Sequence, residues 1–138
     1  MTREVKVIME GVTSGVEEDR ITVKTEGLYD YRNGKHFIRF EESLEGTNQI
    51  TNNILKISQH QVHLIKKGAM NTTMIFDLKE DSQITYQTPY GGLVFQVNTK
   101  ELVVKEYLNE IQVNLNYALF SNGKHLSDNQ TRIEIRSK

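Results

Sequence analysis

The chain has no cysteine. That excludes disulfides, thiolate metal sites and a cysteine nucleophile. Tryptophan is absent, and the single proline, Pro89, marks no linker. Alanine, the strongest helix former, occurs only at Ala69 and Ala118. Neither sign of charge prevails: 17 Lys and Arg stand against 18 Asp and Glu, for a net charge of −1. Such a surface has no bulk attraction for phosphate backbones or anionic lipid, so nucleic acid is not an expected partner. No stretch approaches the ~18 apolar residues of a membrane helix. Arg3, Glu4, Lys6 and Glu10 interrupt the region where a signal peptide would place its apolar core. These absences point to a cytoplasmic protein of a reducing compartment with no membrane partner. A length of 138 residues is enough for one domain, 1–138, with a core of its own.

What is present is alternation. Valine, isoleucine and threonine far outnumber alanine, and β-branched residues pack well on a pleated surface. Val5, Val7 and Met9 share a face, with Lys6 and Glu10 opposite. Ile21, Val23, Thr25, Gly27, Tyr29 and Tyr31 alternate with Arg20, Thr22, Lys24, Glu26 and Asp30. The same period of two runs through His36–Phe40, Ile50–Ile57, Val62–Lys67, Met74–Leu78, Ile84–Thr88, Leu93–Thr99, Leu102–Tyr107, Ile111–Leu119 and Ile133–Ile135. Residues 108–119 also fit a helical stripe, but Asn114 and Asn116 are poor helix residues and the strand reading explains Val113 and Tyr117.

The punctuation suits hairpins. Asn33-Gly34 and Asn122-Gly123 provide the positive φ of a type I′ turn, and Gly91-Gly92 separates two further runs. Only Glu41 to Gln49 reads as a longer loop. Connections this short cannot make parallel crossovers. The expected fold is therefore all-β: an antiparallel up-and-down meander of about 8–10 strands closed into a barrel, with a two-layer sandwich as the other solution. Closure also removes the hazard of exposed strand edges.

Few residues suggest chemistry. His60 and His63 form an H-x-x-H pair across a turn, short of the three or four converging ligands of a metal site. Glu17-Glu18-Asp19 and Glu41-Glu42 read as solvated carboxylates, and no serine lies in a G-x-S-x-G elbow. No catalytic residue, metal or cofactor is expected. The unusual stretches are Ile65-Lys66-Lys67-Gly68-Ala69-Met70-Asn71 and Tyr86-Gln87-Thr88-Pro89-Tyr90-Gly91. Each sits at a strand end, where a barrel has its mouth. Lys66, Lys67, Asn71, Tyr86, Thr88 and Tyr90 are accordingly the candidate ligand-binding residues.

At these residues the chain resembles the YwiB-like proteins, a bacterial family of unknown function with a lipocalin-like (calycin) β-barrel. Thr25-Glu26-Gly27-Leu28-Tyr29, Glu41-Glu42, Lys67-Gly68-Ala69 with Met74 and Phe76, Thr88-Pro89-Tyr90-Gly91 followed by Thr99, Leu115-Asn116-Tyr117-Ala118-Leu119 and Asn122-Gly123 carry the resemblance, in order, over roughly residues 4–136. The residue before Gly68, arginine in the pattern, is Lys67 here, which keeps the charge and loses the planar fork. The resemblance implies the barrel and a cytoplasmic bacterial setting, and no activity.

The expected function is a non-catalytic barrel binding a small hydrophobic or amphipathic ligand, as monomer or homodimer. The alternative is an interaction or structural module with a filled core. An enzyme using Lys66, Lys67, His63 or Tyr90 is the least supported reading.

Overall fold

A computed structural model describes residues 1–15, 19–43, 46–69, 71–88 and 90–138. Glu17, Glu18, Met70 and Pro89, singled out above, lie outside the described residues, as does the side chain of Thr88. Among the described residues there are ten strands and no helix. They are β1 (Glu4–Ser14), β2 (Asp19–Arg32), β3 (Lys35–Ser43), β4 (Ile50–Ile57), β5 (Gln61–Gly68), β6 (Thr72–Asp77), β7 (Ser82–Thr88), β8 (Gly91–Glu106), β9 (Glu110–Ser121) and β10 (Lys124–Ser137). No helix is long and apolar enough to cross a membrane.

Every ladder is antiparallel, and the strand order is β6-β5-β4-β3-β2-β1-β10-β9-β8-β7. The expected meander is therefore present, with the first and last strands zipped along Val5↔Ser137 to Ser14↔Asp128. Closure is nearly complete. Among the described residues no ladder joins β6 to β7, but side chains bridge the seam: Thr72 Oγ1 donates to Thr85 O at 3.1 Å, and Ser82 Oγ donates to Ile75 O.

The two turns read from Asn-Gly behave as expected. Asn33, Gly34, Asn122 and Gly123 all have positive φ. Two runs expected as separate strands, Leu93–Thr99 and Leu102–Tyr107, belong to the single strand β8. Its register shifts between Thr99 and Glu101. The bulge explains the phase change: buried Val97 and Thr99 are odd-numbered, buried Leu102 is even-numbered. Glu41–Ser43, read as the start of a loop, continues β3 and pairs with Asn52, Thr51 and Ile50.

The interior is dry at its centre. Val5, Val7, Ile38, Leu55, Ile57, Val97, Val113, Ile133 and Ile135 are all buried, from both walls. One end carries a polar chain: Tyr29 Oη lies 2.7 Å from His36 Nδ1, and His36 Nε2 lies 2.7 Å from Glu106 Oε1. The Tyr31 ring packs against the same imidazole in a tilted arrangement, with centroids 5.0 Å apart. The other end carries the hairpin connections 43–50, 68–72, 88–91 and 121–124, and there β2 and β3 part company. Their ladder runs only from Arg32↔Lys35 to Gly27↔Phe40. Ile21, on the same face of β2 as Val23, is 61% exposed as a result.

Candidate functional site

Beneath the open end lies a cavity of about 350 Å³. Its floor and walls are apolar: Leu55, Val62, Leu64, Met74 and Phe76 from β4–β6 face Met9, Leu115 and Ile133 from β1, β9 and β10. Period-two alternation puts each of these on the inner face. Val23 and Ile21, from the part of β2 that β3 has left, complete the wall. Gly11 occupies an inner position of β1 between Met9 and Thr13, so β1 contributes no side chain at that level.

The rim is polar. Glu42 on β3 and Lys66 on β5 both line the cavity, and their Oε1 and Nζ atoms are 2.7 Å apart. The two side chains are 29% and 18% exposed, so the pair is largely withdrawn from water. Opposite them, Thr13 Oγ1 donates to Asn129 Oδ1 at 2.8 Å, and Asn129 Nδ2 donates to Ser127 Oγ at 3.1 Å. The Tyr117 ring packs on Phe76 at 4.7 Å. Burial pushes its phenol pKa up to about 12, with Tyr86 adding to the shift and a hydrogen bond with Thr131 opposing it. The hydroxyl is therefore a neutral polar handle in an apolar wall.

Under the ion pair, Asn53 on β4 stands directly opposite both Phe40 and Lys66. It is 1% exposed, and its Oδ1 has no hydrogen-bond partner among the described residues. Its Nδ2 donates to Thr51 O at 3.4 Å. An orphaned buried acceptor costs about 1–3 kcal/mol, and an apolar side chain of similar shape does not incur that cost. Asn53→Leu is expected to raise stability by about 1–2 kcal/mol, read as a higher urea midpoint at unchanged m. A lower midpoint would mean that the amide is satisfied in solution.

The six candidates from the sequence separate. Lys66 lines the cavity. Lys67, next along β5, is exposed on the outer face and lines, with Asn71, Thr73, Gln83 and Gln87, an outer groove of about 400 Å³ that Lys66 also borders. Asn71 closes the β5–β6 turn: its Oδ1 accepts from Gly68 N at 3.2 Å and its Nδ2 donates to Gly68 O at 3.3 Å. Tyr86 is half-buried and meets Phe95 edge-on at 5.7 Å. Thr88 pairs with Gly91, and Tyr90 is fully exposed in the turn between them. A larger concavity of about 740 Å³ on the outer wall is bordered by Glu26, Arg39, Glu41 and Lys138. It lacks the apolar enclosure that holds a small molecule.

Other chemistry finds little footing. His60 is exposed, His63 Nε2 lies 3.1 Å from Gln61 Oε1, and burial lowers the His63 pKa. No group of three or more His, Asp or Glu that could hold a metal ion occurs among the described residues. Tyr29–His36–Glu106 has the order hydroxyl, imidazole, carboxylate of an activated nucleophile. Burial raises the Tyr29 pKa, however, which keeps the phenol protonated and opposes activation.

Residues 6–133 match the family described as Domain of unknown function (DUF1934). The chain belongs to this family. No curated protein matches it. Among solved structures it is similar to the crystal structure of ywiB protein from Bacillus subtilis, with a TM-score of 0.84 and 16% identity, over 100% of this chain and 95% of that one. At that identity the similarity is one of fold, and it agrees with the barrel read from the alternation. For this DUF1934 member, function has to be argued from the cavity.

Proposed function

We propose that this protein is a non-catalytic barrel that binds a small amphipathic or hydrophobic molecule, in a cytoplasmic setting. The observation that carries the reading is the apolar cavity of about 350 Å³ with a charged pair at its rim. Its size lies at the lower end of the range for small-molecule sites, and its composition, apolar walls with few convergent polar groups, is typical of them. Of the sequence candidates, Lys66 is the one retained as a binding residue, joined by Glu42 and Tyr117.

Gly11 gives the test. A Cβ built there meets only Gln130 O and Thr131 Oγ1, both at 4.0 Å, which is ordinary contact. Gly11→Val therefore projects methyl groups into the cavity while replacing glycine with a good strand former. The neutral dye N-phenyl-1-naphthylamine is expected to fluoresce with the parent protein and to bind at least about tenfold more weakly to Gly11→Val, which should melt no lower than the parent. Equal dye binding by both proteins, or none by the parent, would refute a cavity-based function.

A further inference from the structure

Resting on this binding reading, we propose that the cavity selects a ligand with a neutral head group that both donates and accepts hydrogen bonds, such as a primary carboxamide, over an anionic or cationic one. The argument begins with where the ion pair sits. Glu42 and Lys66 belong to β3 and β5, so their 2.7 Å contact crosses the inner face of β4 above Thr51 and Asn53. At the mouth of an apolar cavity the two charges cancel at close range. A carboxylate head approaching Lys66 must also come within a few ångströms of Glu42, and an ammonium head approaching Glu42 meets Lys66 in the same way. In surroundings of reduced dielectric, that repulsion and the loss of hydration outweigh the new attraction. Either ion must sit beside a like charge, or split the pair and leave one charge withdrawn from water without its partner.

A neutral head avoids this. An ammonium has three donors and a carboxylate about four acceptor sites, and the bond between them uses one of each. A carboxamide offers its carbonyl to Lys66 and its N–H groups to Glu42, leaving the pair intact. The rim thus sets a donor beside an acceptor, as an amide does.

The experiment compares three ligands with one eight-carbon body: octanamide, octanoate and octylamine, each displacing N-phenyl-1-naphthylamine near neutral pH. Octanamide is expected to displace the dye at about tenfold lower concentration than either ion. Glu42→Gln removes the repulsion that excludes anions and should move the preference toward octanoate by about tenfold; Lys66→Gln should move it toward octylamine by a similar factor. Octanoate binding the parent protein as well as octanamide, or preferences that ignore both substitutions, would overturn head-group selection while leaving the cavity as a binding site. Failure of the dye to bind the parent protein would remove the cavity reading and this inference together.

Discussion

Replacing Gly68 with alanine is expected to cost about 2–6 kcal/mol, the sum of a backbone and a steric term of about 1–3 kcal/mol each. Gly68 ends β5 with φ of 120°, a conformation that L side chains rarely adopt. A Cβ there would also collide with the main-chain oxygen of Ile50 on the neighbouring strand. That oxygen is held in place, because it accepts Ala69 N at 3.3 Å, and Gly68 itself is tied on both sides to the Asn71 amide. Relief would have to come from separating β4 and β5 at the rim, where Thr51↔Gly68 is the last pair of their ladder. Lys66 lies two residues upstream on the inner face, so the same movement would disturb its contact with Glu42. The expected observation is a lower urea midpoint at unchanged m, accompanied by weaker dye binding. A midpoint equal to that of the parent protein would show that the turn relaxes without strain.

This coupling between a turn and the rim shows which parts of the molecule the sequence announces. Strand identity, the meander and the Asn-Gly hairpins follow from local periodicity, and all three are present. The orientation of the two lysines was also legible in principle. With Val62 and Leu64 facing inward, parity places Lys66 inside and Lys67 outside. The same parity, extended from Ile38 and Phe40, turns Glu42 inward, although a glutamate pair at a strand end first reads as solvated. The bulge in β8 shows in the sequence as a change from odd to even apolar positions, a signal that a break between two strands would also give.

What could not be read locally depends on distances across the barrel. Ile21 lines the cavity yet is 61% exposed because β3 leaves β2 at Gly27, and no pattern within β2 reports where its neighbour departs. A Cβ on Gly27 would come within 2.7 Å of Arg39 O, so the last point of contact between these strands is a glycine for reasons of space. Gly11 looks like any strand glycine until its inner position is known. The cavity exists because β1 has no side chain at that level, β3 departs from β2, and the opposite wall ends in an ion pair rather than in leucine.

Alkaline pH should weaken the fold through Tyr117. Its phenol pKa is pushed up to about 12 in the folded protein, with burial as the leading cause, against about 10 in the unfolded chain. Between those values the folded state holds a proton that the unfolded state has released. Stability from this group is therefore fully present below pH of about 10 and lost as the pH rises toward about 12. The size of the loss follows from the shift, at about 1.4 kcal/mol per unit, and comes to about 2–3 kcal/mol. Tyr117→Phe keeps the ring against Phe76 and removes the titrating hydroxyl, at the cost of the hydrogen bond with Thr131. Urea unfolding of the two proteins at a series of pH values should show the parent losing about 2–3 kcal/mol more than Tyr117→Phe across this interval. Absorbance of the folded parent near 295 nm should place one tyrosine ionisation well above the others. If both proteins lose stability in parallel, the phenol is hydrated in solution. The wall it belongs to would then be open to water, and the cavity would not have the dry floor that an apolar ligand requires.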